Sequence, residues 1–296
     1  MGAEVVICSI NPTPAGHIVE VHDNAGGPSQ FEIPRREMPM KIGAFAAGAI
    51  TISGIILLFA AGVPAQAPAV RLLASNGVQG ALNEIIPQCE HAIGHPLAVE
   101  FGTTASIKPR IEGGEAFDFT ILTADAIDGL IKEGKVAADS RASVARVGIG
   151  IGIRAGAAKP DVSTPEALKK ALLSAKSITY AAAGASRPPT DKMLASMGIA
   201  DALKSKTLLL SGAEETAAAV RDGKAEILIT LISEIMSAKG LALAGPLPKE
   251  FQAYIGFAAG VSPNAKNADA AKAAVKYLTG PKAAAAYKAK GMEPGT

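Results

Sequence analysis

From Val70 onward, short apolar runs rich in Val, Ile and Leu alternate with segments of helical period, and this alternation constrains the fold more than any other feature. The apolar runs at 70–74, 97–101, 119–122, 144–154, 178–182, 207–210, 227–230 and 254–261 read as strands. Between them, 78–91, 106–113, 126–132, 189–197, 214–220 and 233–238 read as helices, and 269–278 and 282–290 close the chain. A further helix opens at Ser163-Thr164-Pro165-Glu166, where Ser163 and Glu166 have capping-box spacing and Pro165 suits the first turn. Strands alternating with helices define an α/β protein with mainly parallel sheets and helices on both faces. Such sheets bind ligands at the carboxyl ends of their strands, where the following helices present free N–H groups.

Ahead of this body, Met40-Lys41 precedes an apolar stretch at 42–62 and a small-residue exit, Val63-Pro64-Ala65-Gln66-Ala67. A charged start, an apolar core and an A-x-A exit form the layout of a secretory signal. The expected cut falls near Ala65 or Ala67 and delivers the protein to the periplasm. No Cys follows the apolar core, which argues against a lipid anchor. The competing reading is a retained membrane anchor, since about 20 apolar residues span a bilayer. Residues 1–39 show no helical or strand period, and are read as a non-native or disordered extension ahead of a start at Met40 or Met38. The resulting division is 1–39 extension, 40–65 signal, 66–147 plus 257–296 lobe one, and 148–256 lobe two.

A formal net charge of +2, with no basic run and no Trp, leaves neither an electrostatic footprint nor an aromatic stacking platform for nucleic acid. Of the two cysteines, Cys8 is lost with the signal, and Cys89 then reads as a small core residue. His91 and His95 are four apart, but Gly94 and Pro96 interrupt the helix, so they read as surface histidines. No metal or other cofactor is expected, and no nucleophile elbow or phosphate-binding Gly loop is present.

Five segments in order, 72–85, 101–125, 178–201, 220–235 and 245–294, resemble the type II periplasmic solute-binding proteins, in particular their molybdate-binding-like branch. The resemblance implies two lobes joined by two crossing strands, here near 144–154 and 251–261, with the ligand held between them. It implies the substrate-binding component of an ABC importer, a monomer that delivers a small anion to a membrane permease. The anion would be an oxyanion such as molybdate or a small carboxylate.

The same resemblance places the anion on helix N-termini. Orphan N–H groups and the helix dipole favour negative charge there without a full positive partner. The matching turns are Ser75-Asn76-Gly77, Thr103-Thr104 and Gly184-Ala185-Ser186-Arg187, with Thr216 after Glu214-Glu215, and Ser233 and Glu234 after Leu231. Each also admits a plainer role: capping for Ser75 and Thr103, a solvated surface for Arg187, a dipole match for the two glutamates. Arg187 stands in a turn that the family builds from small residues, and its fork could grip a carboxylate. Molybdate binders tend to place a Tyr hydroxyl where this chain has Leu231. Two other functions compete with transport. One is an isomerase of a tricarboxylic acid such as aconitate, with Glu234 as base and Arg187 as clamp. The other is a binding lobe that works without a transporter.

Overall fold

The computed structural model describes residues 67–295 together with the segments 7–13, 16–22 and 29–34. The segment 40–65, read from the sequence as an export signal, lies outside the described residues. β1 (Ile7–Thr13), β2 (Gly16–His22) and β3 (Ser29–Pro34) form an antiparallel meander, with Thr13 opposite Gly16 and Gly16 opposite Pro34. The sequence reading found no strand period there. Pro12 and Pro34 within the paired segments, and the Gly- and Pro-rich stretches around them, read as loop rather than strand. This unit, Met1–Ala61, is separate from the unit Gly62–Thr296.

The larger unit holds two sheets that share one strand. In the first, β4 (Val70–Ser75) runs parallel to β5 (Leu97–Gly102) and to β6 (Phe119–Thr123). The second has β8 (Ile178–Ala181) between β9 (Thr207–Leu210) and β10 (Ile227–Leu231), again parallel. The shared strand is β7 (Ala142–Arg154). Its 142–148 half pairs with β12 (Tyr254–Val261) and β13 (Met292–Pro294). Its 149–154 half pairs with β10 and with β11 (Leu241–Pro246), all antiparallel. These two sheets, with their helices, are the two lobes.

The exchange of partners along β7 falls at Ile149, where β11 has ended and β12 has not begun. The Gln252 side chain fills the gap: Ile149 N–H donates to its Oε1 (2.7 Å), and its Nε2 donates back to Ile149 O (3.0 Å). The alternate glycines of β7 have a packing reason. A Cβ at Gly150 would stand 2.9 Å from Ile232, and one at Gly152 3.1 Å from Ile235. Bare backbone therefore lets helix α8 (Ile232–Ser237) lie directly on the strand.

Among the helices, α1 (Asn76–Ile93), α2 (Thr104–Glu112), α3 (Ala124–Lys132), α9 (Ala268–Leu278) and α10 (Pro281–Ala289) belong to the first lobe. Those of the second are α4 (Pro165–Ser174), α5 (Arg187–Ser196), α6 (Ala200–Lys204) and α7 (Ala213–Arg221). Two strands and a short helix escaped the sequence reading. β11 is a run of small residues with a register shift near Gly245, β13 has three residues, and α6 five. The cap of α4 is Thr164, not Ser163. Thr164 Oγ1 accepts from Ala167 N–H (3.1 Å), while Ser163 is bonded to Asp161. Cys89 is fully buried, and burial, with the neighbouring Glu90 charge, pushes its thiol up to about 11, out of the reactive range. Among the described residues no helix is long and apolar enough to cross a membrane.

Candidate functional site

Four helix N-termini meet between the lobes, because the parallel strands β4, β5, β8 and β9 each feed a helix at their carboxyl end. In the first lobe they carry hydroxyl caps. Ser75 Oγ accepts from Gly77 N–H (3.3 Å) at α1, and Thr103 Oγ1 from Ser106 N–H (3.0 Å) at α2. In the second lobe α7 starts on Gly212 without a side-chain cap bond, so its first N–H groups stay free. α5 starts on Ser186, also without a cap bond, but its Arg187 N–H donates to Gly184 O (3.0 Å) and Pro188 and Pro189 carry no N–H, so the Ser186 hydroxyl is what this end offers. Ser186 is buried, and its hydroxyl makes no hydrogen bond among the described residues.

At the meeting point lies an enclosed cavity of about 20 Å³, lined by Thr103 from the first lobe and by Ala185, Ser186, Ala213, Thr230 and Glu234 from the second. That is room for about one water molecule, so the lobes stand closed on it. It is flanked by two larger pockets. One, about 480 Å³, has Thr104, Lys108, Asp125, Gly184, Pro188 and Tyr254 in its walls. The other, about 470 Å³, has Asn76, Gln79, Glu84, Glu214, Glu234 and Lys290. Each has walls from both lobes. A pocket of about 790 Å³ lies elsewhere, around Pro160, Pro246 and Tyr254, and contains none of the predicted residues.

The predicted residues divide accordingly. Thr103, Ser186 and Glu234 line the enclosed cavity, while Thr104 and Asn76 line its neighbours. Thr104 Oγ1 also accepts from Thr123 N–H (3.3 Å). Ser75, Gly77 and Ser233 sit one layer behind: Ser233 Oγ donates to Gly77 O (2.7 Å), tying α8 to the start of α1. Two residues lie off the cavity walls. Arg187 donates its Nε–H to Asp191 and an Nη1–H to Ala182 O (3.4 Å), and its plane lies 5.2 Å from the centre of the Tyr180 ring, so these in-plane donors are engaged by the protein. Thr216 turns its hydroxyl back onto Gly212 O (3.1 Å) and Ala213 O (2.9 Å), as a mid-helix Thr does. Glu215 Oε2 accepts from Ser211 N–H (3.1 Å), and Glu214 faces Arg221. Thr230, Ala213, Lys108 and Tyr254 were not singled out, because small, apolar or surface-typical residues carry no signal before folding groups them.

Glu234 lies deep in the fold with part of its surface open to the cavities. Burial pushes its carboxyl above the ordinary range, against the Thr230 hydroxyl and the Leu231 N–H, which hold it down. An acid raised in the folded state costs stability as pH climbs from the ordinary value of 4.5 through the folded value. We therefore expect Glu234→Gln to raise the Tm of the ligand-free protein, by a margin that widens with pH across that window. A margin that stays flat from about pH 4 to about pH 8 in a melting series would contradict this.

Two lobes hinged on a shared strand and closing on converged helix N-termini define a solute-binding protein. The chain belongs to the bacterial extracellular solute-binding protein family, whose model matches residues 70–293. Aconitate isomerase from Pseudomonas sp is 28% identical over 248 residues, covering 81% of this chain and 94% of that protein. The molybdate-binding protein ModA from Azotobacter vinelandii is 27% identical over 256 residues, covering 81% and 97%. Among solved structures, the Azotobacter vinelandii periplasmic molybdate-binding protein superposes with a TM-score of 0.67 at 17% identity, over 77% of this chain and 100% of that one. The sulfate-binding protein SubI from Mycobacterium tuberculosis H37Rv gives 0.62 at 17%, over 77% and 87%. At these identities the solved structures speak to the fold alone.

Proposed function

We propose that this chain is the extracytoplasmic binding component of an ABC importer, a monomer that holds a small anion between its lobes and hands it to a membrane permease. The observation that carries this reading is the meeting of three helix N-termini, those of α2, α5 and α7, at one interlobe cavity, with the free N–H groups of α7 and the unbonded Ser186 hydroxyl at its wall. A hydrogen bond to a charged group contributes roughly 1.5–3 kcal/mol. Three or four such bonds reach the roughly −8 kcal/mol of micromolar binding. In this reading the segment at 40–65 directs export and is removed near Ala65 or Ala67, and the lobes are 66–147 plus 257–296 and 148–256. Ser75, Asn76, Gly77, Thr103, Thr104, Ser186, Ser233 and Glu234 form the site and its support.

A thermal-shift panel of molybdate, tungstate, sulfate, phosphate, citrate and the aconitates tests it, since a ligand of the native state alone raises Tm. We expect at least one anion to stabilise the protein, and a uniformly silent panel would remove the reading. Ser186→Ala is expected to weaken that anion about tenfold or more, the loss of one charged hydrogen bond, with Tm of the free protein little changed. Unchanged affinity would take Ser186 out of the site.

A second reading is an isomerase acting on a tricarboxylic acid. It is favoured by Glu234, the one carboxyl in the wall of the enclosed cavity, and by the aconitate isomerase relative. The structure leaves Arg187 engaged with Asp191, so the base has no guanidinium clamp beside it. Conversion of cis- to trans-aconitate by wild type and its loss in Glu234→Gln would decide for the enzyme.

A further inference from the structure

The enclosed cavity invites an anion and yet exposes a carboxyl to it. Glu234 is in its wall with Thr103, Ser186, Ala213 and Thr230. Its Oε2 accepts from the Thr230 hydroxyl, and it has no Lys, Arg or His ion-pair partner among the described residues. The charged groups on the packed elements are engaged elsewhere. Lys290, after α10, faces Glu84 of α1 at 2.6 Å. Arg221 of α7 faces Glu214 at 3.4 Å, and Arg187 of α5 faces Asp191. Lys290 shares the neighbouring pocket with Glu234 but is held by Glu84, and among the described residues no cation lies within ion-pair distance of Glu234.

A carboxylate oxygen only accepts, and so does the oxygen of a fully deprotonated oxyanion. Contact between them needs one hydrogen. We infer that Glu234 makes the interlobe cleft, which must widen from this cavity of about 20 Å³ to admit a ligand, selective for anions that bring their own O–H, such as hydrogen phosphate or a hydroxycarboxylate, over proton-free oxyanions such as sulfate and molybdate. The inference rests on the anion-binding reading above and names the ligand chemistry within it. A protonated ligand donates to Glu234 and binds with no change of charge state. Sulfate instead forces Glu234 to take up a proton from water. Its affinity then falls about tenfold per pH unit once pH exceeds the value at which free Glu234 ionises. Burial, which raises the carboxyl, leaves some sulfate binding at acid pH. A glutamine at this position supplies a permanent N–H donor. It removes the pH dependence for sulfate, and it leaves ligand hydroxyls with the carboxamide oxygen alone, an uncharged acceptor.

Titration calorimetry of the full chain with sulfate, molybdate, phosphate and citrate at several pH values from about 5 to about 8, repeated with E234Q, tests this. At the highest pH, phosphate or citrate is expected to bind wild type at least about tenfold more tightly than sulfate or molybdate, and E234Q to cancel or reverse that ratio. Phosphate and citrate separate the inorganic from the organic source of the O–H. Sulfate or molybdate binding wild type with equal strength at every pH overturns the inference and leaves the anion-binding reading standing, whatever the folding of the variant. A preference that E234Q leaves untouched also overturns it. Silence from all four anions removes the anion reading and the inference together.

Discussion

Gly77→Val is expected to destabilise the protein by about 1–3 kcal/mol, the usual cost of overpacking, and to weaken anion binding in the same variant. Gly77 is the second residue of α1, at a point where three elements crowd together. A Cβ there would come within 2.4 Å of Cζ of Phe257 and 2.8 Å of Cδ1 of Leu231. Phe257 is buried in the first-lobe sheet, and Leu231 is buried at the end of β10 in the second. Neither has room to withdraw in a close-packed interior. The start of α1 has to move instead. It carries Ser75 and Asn76, and it receives the Ser233 hydroxyl on Gly77 O at 2.7 Å. Urea unfolding gives the stability change, and titration with the stabilising anion gives the affinity change. A variant as stable and as tight as the parent would show that α1 does not seat the two lobes in this way.

Asp118→Ala is expected to cost about 3 kcal/mol or more of folding stability, because it strands the Arg71 and Asn267 backbone N–H groups and breaks the bond from Asn267 Nδ2. The Asp118 carboxylate is buried and accepts from Arg71 N–H (2.8 Å), Asn267 N–H (2.9 Å) and Asn267 Nδ2 (3.3 Å). It thereby pins the edge of β4 to the turn that enters α9. Burial alone would raise this carboxyl, but these bonds, with another from the Lys266 N–H, hold it below its ordinary 3.8. An acid lowered in the folded state stabilises the fold fully above its ordinary value and loses that contribution as pH falls through the folded value. The wild type is therefore expected to lose stability below about pH 4 in part through Asp118, and the variant to lack that component. Equal chemical denaturation midpoints at neutral pH would refute the anchoring role.

Much of the architecture was legible in one dimension. Apolar runs of four to eight residues mark buried parallel strands, because both faces of such a strand are covered. That signal located β4, β6, β8 and β10, and the apolar runs also marked the more exposed β5 and β9 and the antiparallel β12. Strands β11 and β13 were not legible. Each is held by pairing with β7 alone, and pairing leaves no mark on composition. The glycines at 148, 150 and 152 were visible as a pattern, but their meaning was not. They clear the face of β7 for Gln252, Ile232 and Ile235, which come from distant parts of the chain.

The candidate site shows the same division. Hydroxyl-bearing residues at strand-to-helix turns announce helix N-termini, so Ser75, Thr103 and Ser186 could be marked from local spacing. Nothing local distinguishes a turn residue that faces a cavity from one that satisfies its own helix. Thr216 bonds back to its preceding turn, and Arg187 is claimed by Asp191 and Tyr180. The sequence by itself determined where the strands end and the helices begin, and hence where free N–H groups gather, because capping and periodicity act within a few residues. Which of those ends meet, and that Glu234 shares their cavity with no ion-pair partner among the described residues, was set by the tertiary structure alone. Burial and charge pairing are set by residues far apart in the chain, and no local pattern encodes them.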